Sequence, residues 1–259
     1  MKVNSFVKAK SLEEAYSLLK ESPKNKIIGG GLWLKKGNAT VDKLIDLSGL
    51  GLDKIVDKGD FVEVGAMVSQ RQLEKSDLIK NIGHGIIVNA TSQIMGPAFR
   101  EMATVGGSIY GKYGFSDLIT ALLAMKTTLV FYPNEELSLE EYLATPGFKD
   151  GILTHIYIKK CEANTFFKKV AINALDYALI NIAVRKCKHY KIVVGSRPLV
   201  AAVAKKAVEY LEEGGNDFEK AAEIAVEELS FGDSMSANSS YRKELAKVYI
   251  RRGLEEVNK

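Results

Sequence analysis

The first fifty residues alternate between short apolar runs and one amphipathic stretch. Ser11 followed by Glu14 is the pattern of a helix N-terminus with a capping box, and apolar residues recur after it at helical spacing. Apolar runs at Lys26–Ile28 and Leu44–Leu47 predict two strands beyond that helix. The pattern therefore predicts a small strand–helix–strand unit.

The next hundred residues mix both periodicities. Ile55–Asp57 and Phe61–Val64, with Gly59 between them, predict a β-hairpin. Further elements are expected in this order: helices around 69–74 and 80–90, a helix capped by Ser116, and strands at 127–132 and 152–158. Alternating hairpins and helices of this kind indicate an α+β fold.

The last hundred residues separate strands from helices. Three strand-like runs come first, at 166–171, 178–185 and 190–194, and three helical patterns follow, at 198–213, 218–229 and 241–257. Gly214 and Gly215 separate the first two helices, as a helix stop does. This change of pattern predicts a separate C-terminal domain.

Composition narrows the class of protein. With 46% hydrophobic and 26% charged residues and a net charge of +4, the chain suits a globular protein, and its charges alternate along helical stretches instead of forming a nucleic-acid stripe. Cys161 and Cys187 belong to no CxxC pair, which indicates free thiols in a reducing compartment and no zinc or iron–sulfur ligand set. Neither a signal peptide nor a run of about 18 apolar residues is present. We expect a cytoplasmic protein that does not bind nucleic acid or insert into a membrane.

Two glycine segments carry the candidate chemistry. Gly29–Gly31 directly follows a predicted strand, and Thr104–Ser108 holds a second glycine pair, with Asp117 nine residues later. Consecutive glycines let main-chain N–H groups approach an anion closely, whereas a carboxylate suits a ribose or ribityl hydroxyl. Either segment alone is most often a tight turn, and neither matches a Rossmann fingerprint or a P-loop. Together they indicate a ligand with a diphosphate.

The motifs around these segments resemble a known family. Ala103–Ile109, Ser116–Leu118 and Ala121–Met125 are similar to the successive patterns A-T-(I/V)-G-G-N, D-L and A-L-L-A-L. These patterns belong to the FAD-binding (medium) subunit of the molybdenum hydroxylases, the family of carbon monoxide dehydrogenase and xanthine dehydrogenase. Further similarities occur in family order from about Lys26 to Leu254, at these places: 29–34, 65–68, 97–100, 239–242 and 251–254.

The resemblance implies a fold and domain boundaries. It implies an FAD-binding domain over residues 1–160, made of a small α/β unit of about 1–52 and a larger mixed α/β unit with an antiparallel sheet over 53–160. A C-terminal flavoprotein domain over residues 161–259 would hold a three-stranded antiparallel sheet and three helices. For residues 161–259, the order of elements predicted from periodicity alone is the same.

The resemblance also implies site residues. Main-chain amides of both glycine segments would hold the diphosphate of a non-covalent FAD, Asp117 would meet its hydroxyls, and Leu153 would flank the flavin. A lysine of the family falls on Lys168. The cofactor-binding residues expected on this basis are Gly29, Gly30, Gly31, Leu32, Trp33, Thr104, Gly106, Gly107, Ser108, Asp117, Leu153 and Lys168.

This sequence departs from the family at two places in the site. Leu32 and Trp33 replace polar residues, so two side-chain hydrogen bonds are lost from the first segment, and Trp33 would pack either on the flavin edge or in a core. Ser108 replaces an asparagine and is a shorter donor.

The implied function is an electron relay. The chain would take electrons from [2Fe-2S] clusters on a small partner subunit and pass them to an acceptor such as NAD+, while molybdopterin stays on a large partner subunit. No metal ligand and no catalytic residue is expected on this chain. Two alternatives stay open: a scaffold protein of the same fold that lacks FAD, which Leu32 and Trp33 would favour, and a free-standing flavin reductase.

Overall fold

A computed structural model describes the whole chain, residues 1–259, and its strands form three sheets. The first sheet is parallel, has the order β1-β3-β2, and confirms a small α/β unit at the N-terminus. Its elements are β1 (Lys2–Lys8), α1 (Leu12–Glu21), β2 (Lys26–Ile28) and β3 (Thr40–Asp46).

The predicted capping box at α1 forms only in part. The Ser11 hydroxyl accepts a hydrogen bond from the Glu14 N–H, as expected for an N-cap. The Glu14 carboxylate, however, accepts from the N–H of Lys10, the residue before the cap, at 2.6 Å. The carboxylate thus satisfies a different main-chain donor from the one that the pattern predicts.

The second sheet is antiparallel and has the order β4-β5-β8-β6-β7. Its elements, with the helices between them, are β4 (Ile55–Asp57), β5 (Phe61–Gly65), α2 (Gln70–Lys75), α3 (Asp77–Lys80), α4 (Ile86–Ser92), α5 (Pro97–Met102), α6 (Val105–Tyr110), α7 (Asp117–Ala124), β6 (Thr127–Tyr132), β7 (Glu135–Ser138), α8 (Leu139–Ala144) and β8 (Ile152–Lys159). The hairpin and both long strands confirm the sequence pattern.

The helix expected over residues 80–90 is interrupted. A short 3₁₀ turn at Gly83–Gly85 separates α3 from α4. All three residues of that turn have positive φ, of 49°, 48° and 78°, which no regular helix accommodates. Because glycine adopts such angles without a Cβ clash, the two glycines end one helix and start the next.

The third sheet is antiparallel and has four strands in the order β12-β11-β10-β9. Its elements, with the helices that pack on it, are β9 (Asn164–Val170), β10 (Ile180–Lys186), β11 (Tyr190–Gly195), β12 (Ala202–Val203), α9 (Lys205–Glu212), α10 (Phe218–Glu228) and α11 (Ser239–Val257). The three predicted strands and three helices are present, and β12 adds a two-residue edge strand. A helix start at residue 198 is wrong, because Ala202–Val203 pairs with β11 and α9 begins only at Lys205.

Two apolar cores meet at α7. The larger lies between the second sheet and its helices, and the smaller lies between the third sheet and α9–α11. All eight residues of α7 are buried, since this helix packs against β10 and β11 as well as α4. Six of its eight residues are apolar, and the two buried polar ones, Asp117 and Thr120, both hydrogen-bond with Asn181 of β10. None of the helices combines the length and apolar composition that crossing a bilayer requires.

Candidate functional site

The first glycine loop (residues 29–33) begins where β2 ends. Gly31 has a φ of +68°, a left-handed conformation that glycine adopts at no steric cost, and it turns the chain toward the short 3₁₀ turn Leu34–Lys36. The main-chain N–H groups of all five loop residues donate no hydrogen bond within the protein. Five consecutive unpaired donors in a half-buried loop form the kind of main-chain concavity that binds anions.

The second glycine segment (residues 104–108) is not a loop. Thr104 caps α6, and Gly106 and Gly107 lie in its first turn. The N–H of Gly106 donates to the carbonyl oxygen of Ala66 at 2.8 Å, and the N–H of Gly107 donates to the Thr104 hydroxyl at 3.2 Å. The N–H groups of Val105 and Ser108 are also paired. The fold therefore already uses the N–H groups of residues 105–108, and within this segment only the N–H of Thr104 donates no hydrogen bond. That the segment contributes to a cofactor site stays a prediction.

The two glycine segments nevertheless lie against each other. A Cβ on Gly29 would overlap the hydroxyl oxygen of Thr104, and a Cβ on Gly30 would overlap the carbonyl oxygen of Met102. A Cβ on Gly106 would lie 2.6 Å from the Cβ of Ala66. Glycine at these positions is thus required for the close approach that packs the first loop against residues 102–104.

A cavity of about 1080 Å³ opens at this contact. Eleven of the twelve expected cofactor-binding residues line it, namely Gly29, Gly30, Gly31, Leu32, Trp33, Thr104, Gly106, Gly107, Ser108, Asp117 and Leu153. The cavity extends from Met1 and Lys26 of the N-terminal unit to Asp176 and Tyr177 in the β9–β10 connection. A cleft this long exceeds the usual size of a small-ligand site and suits an extended ligand.

Lys168, the twelfth residue, lies outside the cavity. It is exposed on β9, and its ammonium lies 5.7 Å from the ring centroid of Tyr249 on α11. Its neighbour Lys169 points to the other face of the sheet and lines the cavity, with a side chain only 5% exposed. The buried cation of the site is therefore Lys169, which the motif misses by one residue.

Asp117 and Lys169 form a buried pair at the wall of the cavity. The Lys169 ammonium donates to the carbonyl oxygen of Gln93 at 2.9 Å and lies 3.7 Å from the Asp117 carboxylate. The amide of Asn181 donates to the same carboxylate at 2.6 Å. Burial raises the pKa of Asp117 from 3.8 to about 6, although Lys169 and Asn181 both favour the ionised form. The site therefore holds a titratable carboxyl at its base.

Gln70 is a polar lining residue that the motifs did not single out. Its side-chain amide donates to the Ser108 hydroxyl at 2.9 Å, and that hydroxyl donates to the Thr104 carbonyl oxygen at 2.8 Å. The Ser108 hydroxyl is thus committed within the protein. The amide oxygen of Gln70 is buried and has no hydrogen-bond partner. A buried oxygen without a partner lowers the free energy of unfolding, and a bound ligand with a hydrogen-bond donor would remove that loss. No sequence signal marks Gln70, since only its contact with Ser108 brings it to the site.

Aromatic side chains cover one end of the cavity. The ring of Trp33 lies near three other rings that also line the cavity, those of Tyr113, Phe115 and Tyr177. Of the two positions expected for Trp33, a core position does not occur, because Trp33 is half-exposed and belongs to neither apolar core. No histidine lines the cavity.

Two protein families match the sequence and together cover nearly all of it. Residues 1–172 match the FAD binding domain in molybdopterin dehydrogenase. Residues 165–257 match the CO dehydrogenase flavoprotein C-terminal domain. The two matches overlap along β9, the strand that carries Lys169.

Individual known proteins are similar over most of the chain. The glyceraldehyde dehydrogenase medium chain of Sulfolobus acidocaldarius is 23% identical, and the alignment covers 98% of either chain. The nicotinate dehydrogenase FAD-subunit of Eubacterium barkeri is 26% identical over 70% of this chain and 67% of its own length. A solved structure of carbon monoxide dehydrogenase from Hydrogenophaga pseudoflava matches with a TM-score of 0.90 at 20% identity, over 98% of this chain and 96% of that chain. At this identity the structural likeness shows a shared fold.

Proposed function

The chain belongs to the family of FAD-binding domains in molybdopterin dehydrogenases, and from that premise we propose that it is the flavin subunit of a multi-subunit molybdopterin-dependent dehydrogenase. Because it belongs to this family, the chain is a subunit of an oxidoreductase. In this proposal, electrons reach the chain from [2Fe-2S] clusters on a small partner subunit and leave to an acceptor such as NAD+. A large partner subunit would hold the molybdopterin and oxidise the substrate.

The run of five unpaired N–H groups in the first glycine loop carries the proposal. These donors line the cavity, and no other group of the protein accepts from them. A diphosphate supplies several anionic oxygens within the span of such a loop, and oriented amides bind anions well. The unpartnered amide oxygen of Gln70, which also lines the cavity, fits a large ligand with a hydrogen-bond donor.

We assign different tasks to the two glycine segments. The first loop, Gly29 to Trp33, would donate its amides to the diphosphate. Thr104, Gly106, Gly107 and Ser108 would form the opposite wall, which holds the loop in place and excludes water. This division is supported by the main-chain N–H groups, which are unpaired in residues 29–33 and paired in residues 105–108.

The remaining lining residues would position the rest of the cofactor. Lys169 would place a cation beside a ligand that is itself negatively charged, and Leu153 would give an apolar contact. Asp117 would accept a hydrogen bond from a cofactor hydroxyl in competition with Asn181. FAD, when bound, supplies the chemistry of accepting and releasing electrons, whereas the protein supplies position and electrostatics.

Reconstitution with FAD and purification from the native source test the proposal together. We expect the isolated chain to bind one FAD non-covalently, and the native complex to contain molybdenum, iron and flavin in subunits that copurify with this chain. If the isolated chain does not bind added FAD, it would instead be the scaffold protein of the same fold. Steady NAD(P)H oxidation by the isolated chain, with no copurifying metal subunit, would identify the free-standing reductase.

A further inference from the structure

Four of the aromatic residues that line the cavity form one cluster. The ring centroid of Trp33 lies 5.1 Å from that of Phe115, 5.5 Å from that of Tyr113 and 6.0 Å from that of Tyr177. We call these four residues the aromatic cluster. They come from three separate parts of the chain: the first glycine loop, the segment before α7, and the β9–β10 connection.

The aromatic cluster is not part of an apolar core. None of its members belongs to a core of the fold, and Tyr177 is 43% exposed. All four line the cavity. Aromatic surface that faces an open cleft gains free energy when an apolar or aromatic group covers it. The cluster therefore has the properties of a contact surface.

Trp33 joins the cluster to the anion-binding donors. Its own N–H is the last of the five unpaired amides, so its ring lies within one residue of the place where a diphosphate would bind. The ammonium of Lys36 lies over one face of the Trp33 ring, 4.4 Å from its centroid, so a stacking ligand would use the other face or displace this exposed side chain. A ligand that carries both phosphates and a planar ring matches this combination of amides, cation and aromatic surface.

We propose that Trp33, held in place by Tyr113, Phe115 and Tyr177, is the surface on which a planar ring of the bound dinucleotide packs. The inference rests on the proposed function, because it takes the cofactor as given and assigns one contact within its site. It also accounts for Trp33 in place of a polar residue, since stacking replaces a hydrogen bond that a polar side chain at this position would make. The ring is either the adenine or the isoalloxazine of FAD, and both are planar and aromatic.

The protein has one tryptophan, so its fluorescence reports on the aromatic cluster alone. We expect acrylamide to quench Trp33 efficiently in the cofactor-free protein and several-fold less after FAD binds, because a stacked ring covers the indole. ADP and FMN, used as separate probes, distinguish the two rings: protection by ADP assigns adenine, and protection by FMN assigns the isoalloxazine. Acrylamide accessibility is measured from lifetimes, so that energy transfer to the flavin is corrected.

Two substitutions at Trp33 distinguish the effect of an aromatic ring from the effect of apolar volume alone. Trp33→Phe keeps a ring and should bind FAD within about threefold of the wild-type affinity, whereas Trp33→Leu keeps apolar volume and should bind about tenfold more weakly. Thermal unfolding of both variants without FAD serves as the folding control. Neither substitution changes the main-chain amides of the loop.

The outcomes separate this inference from the proposed function. If the wild-type protein binds no FAD, both are overturned. If FAD binds but leaves acrylamide accessibility unchanged, and Trp33→Leu binds as tightly as the wild type, only the contact at Trp33 is overturned. Protection of Trp33 together with weaker binding by Trp33→Leu supports both.

Discussion

Gly30 and Met102 lie so close together that a Cβ on Gly30 would overlap the carbonyl oxygen of Met102. This approach brings the first glycine loop against the segment that precedes α6. The loop therefore keeps its position through backbone packing, while its amides stay free for a ligand.

The Gly30 contact predicts the effect of one added methyl group. Gly30→Ala should displace the first glycine loop and lower the affinity for FAD by at least about tenfold, since a carbonyl oxygen of the backbone cannot move away as a flexible side chain does. Gly96→Ala is the matched control, because a Cβ there meets no atom within 4 Å and Gly96 does not line the cavity. Flavin fluorescence titration gives the affinities, and circular dichroism checks the fold. Equal affinity in the two variants would contradict this account of the loop.

Two adjacent lysines on β9 should differ strongly in their response to the same substitution. Lys169→Met removes the cation beside the buried Asp117 carboxylate and should lower the free energy of unfolding by about 2–4 kcal/mol, with weaker FAD binding as well. Lys168→Met changes an exposed position outside the cavity and should stay within about 0.5 kcal/mol of the wild type. Urea unfolding and FAD titration measure both effects. If both variants lost similar amounts of stability and FAD affinity, the assignment of Lys169 to the cavity side of β9 would be contradicted.

The raised pKa of Asp117 predicts a pH dependence of stability. Its pKa is about 6 in the folded protein, against 3.8 for an unburied carboxyl. Between these two values the folded chain holds a proton that the unfolded chain has lost, so the free energy of unfolding falls as pH rises. The contribution falls by about 2 kcal/mol between pH 4 and pH 6 and becomes constant only above about pH 7.

Asp117→Asn isolates that contribution. The variant has no proton to lose at this position, so the difference in unfolding free energy between it and the wild type should change by the stated amount across pH 4–6. Other titrating groups cancel in the difference. Urea unfolding at several pH values measures it, and parallel curves for the two proteins would rule out a raised pKa at Asp117.

Local patterns predicted much of the fold and most of the residues that meet at the cavity. The glycine motifs identified the family, which the match over residues 1–172 confirms. They also predicted that residues 29–33 and 104–108 converge, on the reasoning that both would donate main-chain N–H groups to one diphosphate. In the structure the two segments do meet, through close contacts at Gly29 and Gly30. The hairpin of β4 and β5 and the helix cap at Ser116 depend on neighbouring residues alone, so the sequence predicted them as well.

The features that the sequence did not reveal depend on distant partners. Gly106 and Gly107 resemble a loop, but hydrogen bonds to Ala66 and Val68 fix residues 105 and 106 at the start of a helix. Lys168 and Lys169 are adjacent residues of the same type, so the sequence does not show which of them lines the cavity. The register of β9 on β10, in which Lys169 lies opposite Asn181, decides this. β12 has two residues, too few for any periodicity, and exists because β11 offers it a free edge.

The central claim is that the free amides of the first glycine loop bind the diphosphate of FAD. Amide ¹H–¹⁵N spectra recorded during an FAD titration test it most directly, because each N–H is observed separately. The account predicts large downfield shifts for the amides of Gly29 to Trp33 and small ones for residues 105–108, whose amides are already paired. Stoichiometric FAD binding that leaves the amides of residues 29–33 unshifted would contradict it.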